Sequence, residues 1–324
     1  MPRAQPARSA TVAAICLGFW SAPALAGSGP WVIGEGNTSI YIGSEFQRFS
    51  KLATRDGKGA KSEIDVDDGV EGIGLRVIAS HGLRESIEME LEVPWQRVEA
   101  NRPGGAVCGL LGPDTCRTTT GIGVLSGRVK GLVVDELKGS PVSVSIAGDV
   151  RLGQLTSDDR SRVTNLGEGT TDLGGGLAVG RSGGLGDGFW SAYLDTRARY
   201  RFSNVVDASP PVPGWEMQID AEAFLGTQAW WSIGPSVSWF KRPDGVDVED
   251  LLSTPRLATD IDRFARLRAE SLRAGAKLLL RSSERTTFVT GAAWTLRAVN
   301  NPSDVFTFTV GLTVHPRSRS NQEA

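Results

Sequence analysis

The stretch "ESIEMELEVPW", Glu85 to Trp95, sets Glu88, Glu90 and Glu92 two residues apart, with Ile87, Met89, Leu91 and Val93 filling the gaps. On a helix, residues two apart diverge by about 200°, which would scatter acids and apolar groups round the cylinder. On a strand the period is 2, and the same letters separate into one carboxylate face and one apolar face. Glu is a poor strand former, so three of them in one strand require a wet or charge-compensated face.

The same period runs through the chain and predicts twelve strands. They lie near Ser39 to Phe49, Gly69 to Ser80, Glu85 to Trp95, Gly121 to Asp135, Pro141 to Gly153 and Thr171 to Arg181, then near Phe189 to Phe202, Trp215 to Phe224, Trp231 to Lys241, Ser271 to Arg281, Thr287 to Arg297 and Phe306 to Val314. Each has an apolar row and a polar row. Alternation of this kind suits a soluble sandwich as well as a transmembrane barrel, because both have one apolar and one polar face.

The connections discriminate better. They alternate long and short, from a long one at Ser50 to Asp68 and a short one at His81 to Glu85 onward, and only Asn300 to Asp304 is short where a long one is due. Transmembrane barrels have this asymmetry, with tight periplasmic turns at one rim and extracellular loops at the other. Trp95, Trp190, Trp215, Trp230 and Trp231 lie near predicted strand ends, where interfacial aromatic girdles sit. The expected fold is therefore an all-β, antiparallel up-and-down barrel of about 12 strands, with 10 to 14 as the range. A secreted sandwich with these tryptophans in its core is the alternative.

Residues 1–26 read as a secretory signal: Arg3 and Arg8 precede an apolar run from Ala10 to Trp20, and Ala24-Leu25-Ala26 is a small-x-small cleavage site. A lipoprotein anchor at Cys16 is disfavoured by Ile15, which stands where such a site needs a small residue. Residues 27–315 are then the barrel and 316–324 a polar tail. Beyond the signal, Cys108 and Cys116 enclose "GLLGPDT", and in an exported chain that spacing most simply makes a disulfide closing a small loop. With only two histidines, His81 and His315, both beside predicted turns, a metal site is unsupported. A formal charge of -2 gives no reason to expect nucleic acid. One stretch breaks the strand period: Leu257, Ile261, Phe264 and Leu267 recur at helical spacing inside the longest predicted loop.

The succession "YIGSEFQRF", "ASHGLRESIEMELEVPW" and "TGIGVLSGRVKGLVV" resembles the phenol meta-pathway transporter-like family of outer-membrane proteins. His81-Gly82-Leu83 matches its "YGL"-type turn and Pro94-Trp95 its strand end, while "GIGV" lacks the family's usual acidic residue. The likeness spans roughly residues 38 to 135 and continues only as strand rhythm. It implies an outer-membrane barrel transporting aromatic compounds. The tail "PRSRSNQEA" departs from the terminal Phe that outer-membrane assembly machinery reads, which moves any such signal inward.

In a barrel the apolar rows must face outer-membrane lipid and the polar rows the lumen. That assigns to the lumen Arg76, then Glu88, Glu90 and Glu92, then Arg128 and Lys130, so that an acidic strand lies between two basic ones. It adds Asp149, Arg151, Asp195, Arg197, Arg199, Arg201, Glu216, Asp220, Glu222, Arg273, Lys277 and Arg281. Twelve strands fall between the eight that side chains fill and the 16 or more of an open porin, so a narrow lumen is expected. The expected role is a channel or transporter for small solutes, aromatic or apolar compounds among them; a non-conducting structural or adhesive barrel is the rival. Ser126 in "GVLSG" lacks the flanking pattern of a nucleophile elbow, which argues against an enzyme, and no cofactor is implied.

Overall fold

The computed structural model describes residues 29–55, 60–100, 118–153, 170–202, 214–227, 230–248, 250 and 266–316. The predicted signal, the Cys108 and Cys116 pair, the tail from 317 and the predicted helix, apart from Leu267, lie outside them.

Strands form where the period-2 rows lie. They are β1 (Thr38–Arg55), β2 (Lys61–Arg84), β3 (Ile87–Ala100), β4 (Thr119–Ile122), β5 (Leu125–Val134), β6 (Ser143–Leu152) and β7 (Thr171–Leu185). There follow β8 (Gly188–Phe202), β9 (Trp215–Thr227), β10 (Trp231–Arg242), β11 (Ala269–Ser283), β12 (Thr286–Val299), β13 (Asn301–Pro302) and β14 (Phe306–Val314). All strand pairings are antiparallel, the staves follow one another in chain order, and β1 pairs with both β14 and β2, which closes the sheet. Since β4 and β5 both pair with β3 as one interrupted stave, and β13 only extends the β1 edge by two residues, the barrel has twelve staves. Closure leaves no free edge, as lipid demands. The sandwich alternative is excluded by that closure.

The outside is apolar. Leu91 is 53% exposed while its neighbour Glu88 is 2% exposed, and Ile73, Val129, Ile146, Leu177, Ile233, Phe288 and Phe308 are likewise large, apolar and exposed. An exposed belt on this scale means a membrane rather than water. Aromatic pairs border it at both ends. Tyr200 packs edge-on against Phe202 and Trp215, at 4.9 and 5.4 Å, and Trp294 lies 5.0 Å from Phe306 at the loop end; Trp230 and Trp231 lie 6.1 Å apart at the short-turn end.

The first connection differs from its expectation. Most of Ser50 to Asp68, predicted as a long loop, is strand, because β1 runs on to Arg55 and β2 begins at Lys61. The alternation is masked there by a register shift between Phe49 and Lys51, where Gly69 takes φ 78° and a β-carbon on it would strike the Phe49 carbonyl. Past the shift, Glu63, Asp65 and Asp67 alternate only with Ile64 and Val66 before Asp68 and Gly69 interrupt the apolar row, so the short, acid-rich stretch reads as loop.

Candidate functional site: the charged barrel interior

The inward rows place most of the predicted lumen charges in the interior. Arg76, Glu88, Arg128, Lys130, Asp195, Arg199, Arg201, Glu216, Asp220, Glu222, Arg273 and Lys277 are buried on the face opposite the apolar belt. Glu90, Glu92, Asp149, Arg151 and Arg197 share that face and are half-buried, whereas Arg281, near the short-turn end of β11, is exposed. Charge burial of this extent is tolerable only with pairing.

On β3 the three acids meet different fates. Glu88 faces Lys130 in register, with the ammonium 3.6 Å from the carboxylate. Glu92 is met diagonally by Arg76 at 2.9 Å. Glu90 faces Arg128 in register, yet that guanidinium reaches past it to Asp195 on β8, at 3.1 Å, and Glu90 accepts from the Ser80 hydroxyl, at 3.4 Å. At this rung the residue opposite in register is therefore not the ion-pair partner, because Arg is long enough to span to an acid three staves on. Asp195 also binds Arg197 at 3.0 Å.

Toward the loop end, Glu216 collects three guanidiniums: Arg151 at 2.7 Å, Arg199 at 3.4 Å and Arg242 at 3.3 Å. Arg199 also holds Asp149 at 2.5 Å, and Arg151 reaches Asp172 at 3.5 Å. Lys277 on β11 pairs with Glu222 on β9. Asp172 lies on the polar row that the sequence predicts for its strand, though not among the residues assigned to the lumen, and Arg242 stands one residue past the predicted end of its strand, where the inward row of β10 continues. Tyr41, Glu45 and Gln47 of β1 share the buried face.

The short-turn end is crossed by the segment that precedes β1. Its Ile33 amide donates to Glu88 at 2.7 Å, the Trp31 carbonyl accepts from Lys130 at 2.5 Å, and the Trp31 ring stands edge-on to Tyr193 of β8 at 6.0 Å. Gly82 permits the approach, since a β-carbon there would strike the Ile33 and Gly34 carbonyls. Beyond the ends of the strands, the Trp31 indole donates at 3.0 Å to Glu136, in the 3-10 turn Glu136–Lys138 between β5 and β6. Glu136 also accepts from the Ser182 amide at 3.0 Å and hydroxyl at 2.6 Å. Partial burial pushes the Glu136 carboxyl up, but the Ser182 and Trp31 hydrogen bonds with the Arg181 charge outweigh it and hold the group below its ordinary range.

The loop end is narrowed from the β10–β11 connection. Val246 bridges to Leu267, both Val248 and Leu267 are buried, and Asp247 accepts from Asn300 at 2.7 Å and lies 3.2 Å from Arg268. Apolar side chains turn inward here, with Phe49 facing Val70 across β1 and β2 and Val98 beside them. The histidines serve the wall: His81 shares a 2.9 Å hydrogen bond with Thr38 across β1 and β2, and the His315 amide donates to Arg285 at 2.8 Å.

No family model matches the chain, and no curated sequence relative matches it. Among solved structures, the fold is similar to an outer membrane channel from Pseudomonas putida F1, at a TM-score of 0.65 and 14% identity over 89% of this chain and 98% of that one. It is also similar to the NanC porin, at a TM-score of 0.50 and 8% identity over 85% of this chain and 98% of that one. Identities this low make the likeness one of fold, and the chain is a twelve-stranded transmembrane β-barrel of the architecture that outer-membrane channels use.

Proposed function

We propose that the protein is an outer-membrane channel for small solutes, its short turns periplasmic and its loops outside, and that the inward charged rows from Arg76 to Lys277 line the path. The supporting observation is that the paired charges do not fill the interior. Arg151, Glu92 and Arg197 keep 25%, 21% and 16% of their side-chain surface open, and all three lie on inward rows. Twelve staves enclose more space than the eight that side chains just fill. The segment from Gly29 to Gly34 narrows the periplasmic mouth, and the base of the β10–β11 connection narrows the outer one.

Solutes suited to this path are small organic molecules, aromatic and apolar compounds among them. They would meet the inward apolar group of Phe49, Val70 and Val98 near the outer mouth before the charged rows. Planar-bilayer recording of the purified barrel, with proteoliposome swelling in small organic solutes, tests the reading. Discrete conductance steps and solute-dependent swelling are expected. A barrel that inserts but passes neither ions nor solutes is a structural one, and the channel reading falls.

A further inference from the structure

Among the described residues, the inward rows hold a buried cation without a mate, Arg273. Arg273 of β11 is 9% exposed, and among the described residues its guanidinium makes no hydrogen bond or ion pair; its Nε is wholly enclosed and unpartnered. An arginine does not shed its proton, so the charge persists, and a buried guanidinium with idle donors is costly to keep. Arg76, Arg128, Arg199 and Arg242, buried to a similar degree, each meet an acid.

Its surroundings supply further idle groups. Arg273 faces Thr295 of β12 in register, immediately beside a register shift between Leu272 and Arg273. Bulges of this kind re-aim a side chain and recur next to binding sites. The Thr295 hydroxyl is buried and unpartnered. So is the hydroxyl of Thr307 on β14, one inward position along the neighbouring stave, where Thr307 is 7% exposed and pairs in register with Ala293 and Gln47. One guanidinium and two hydroxyls without partners therefore lie together on three adjacent staves.

We infer that this patch of β11, β12 and β14 binds the carboxylate of a small organic acid, with Arg273 as the cation and Thr295 and Thr307 as the flanking donors. The planar guanidinium fork matches a carboxylate at both oxygens, which an ammonium or a hydroxyl pair does not. Glu45 is the acid whose charge acts on Arg273, but it lies outside ion-pair distance and one of its two oxygens accepts from the Gln47 amide. An incoming carboxylate at hydrogen-bond distance is the closer charge, and attraction falls with separation, so Glu45 weakens the subsite without closing it. The inference rests on the channel reading, in that the path through the barrel is what brings a solute to this wall, and it names the solute class.

The test is equilibrium titration of the folded, detergent-solubilised barrel with benzoate, methyl benzoate and chloride, with heat-modifiable gel mobility verifying the fold of each variant. Benzoate is expected to bind saturably and in preference to its neutral ester and to chloride. Arg273→Gln should weaken benzoate by about tenfold or more, and Arg273→Lys, which keeps the charge and loses the fork, by less. Thr307→Val should weaken it further from either background. Equal binding of benzoate and its ester, displacement by equimolar chloride, or unchanged affinity in both Arg273 variants would each overturn the subsite. Bilayer conductance is read separately: a barrel that conducts without selecting benzoate keeps the channel and loses the subsite, and one that binds benzoate through Arg273 without conducting does the reverse.

Discussion

Lys130 lies 3.6 Å from the Glu88 carboxylate and donates to the Trp31 carbonyl at 2.5 Å, so one ammonium ties two adjacent staves to the segment that runs before the first strand. Glu88 completes the link by accepting from Ile33. An ion pair that stabilises the wall thereby also holds the obstruction at one mouth.

Removing the grip of that segment should open the path. Trp31→Ala deletes the edge contact with Tyr193 and the indole bond to Glu136 while leaving the barrel seam untouched. Single-channel conductance is expected to rise by about twofold or more, since a narrow constriction dominates the resistance of a pore. Unchanged conductance would show that the segment does not limit flow.

Acid should act in the same direction. The folded-state carboxyl of Glu136 is depressed, so the stability it contributes is complete above the ordinary carboxylate value and is lost as the pH falls through the depressed value. Conductance should therefore climb on acidification below the ordinary carboxylate range. Glu136→Gln should flatten that response, and a response that survives this change places the titrating group elsewhere.

Neighbouring positions on β11 should fail for opposite reasons. Ala276 faces lipid, and Ala276→Arg should cost about 2 to 4 kcal/mol near the midplane. Lys277→Ala leaves Glu222 buried and unpaired, at about 3 to 5 kcal/mol. The double change Lys277→Met with Glu222→Gln should recover most of that loss, whereas nothing inside the barrel rescues Ala276→Arg. Urea unfolding in lipid vesicles measures all three.

Glu216→Gln removes the shared acid of Arg151, Arg199 and Arg242. The outer part of the path should become anion-selective, read as a shift of reversal potential in a salt gradient. No shift would mean that permeating ions do not pass these arginines.

Asp304 caps β1 beside its register shift, accepting from the Ser50 amide at 3.0 Å and hydroxyl at 2.5 Å and from the Lys51 amide at 2.8 Å. Asp304→Ala should cost about 1 to 3 kcal/mol in vesicle unfolding, by leaving those donors unmet at the β1–β14 seam. An unaltered midpoint would show that water replaces the carboxylate there.

The amino-acid sequence alone determined the strands and their two faces, because a period of 2 is a local property that every stave carries in its own letters. Leu91 outward and Glu88 inward follow from their spacing, and twelve such rows with lopsided connections lead to a closed barrel. Where the local pattern was blurred, as past Phe49 or at the interruption between β4 and β5, the reading shortened or merged strands. What only the tertiary structure decided is which inward groups meet. Closure and stagger carry Arg128 past Glu90 to Asp195, gather three arginines on Glu216, lay Trp31 across the mouth to Tyr193 and leave Arg273 unmatched. Those contacts join residues dozens of positions apart across a curved wall, and no local periodicity encodes the distance across a lumen.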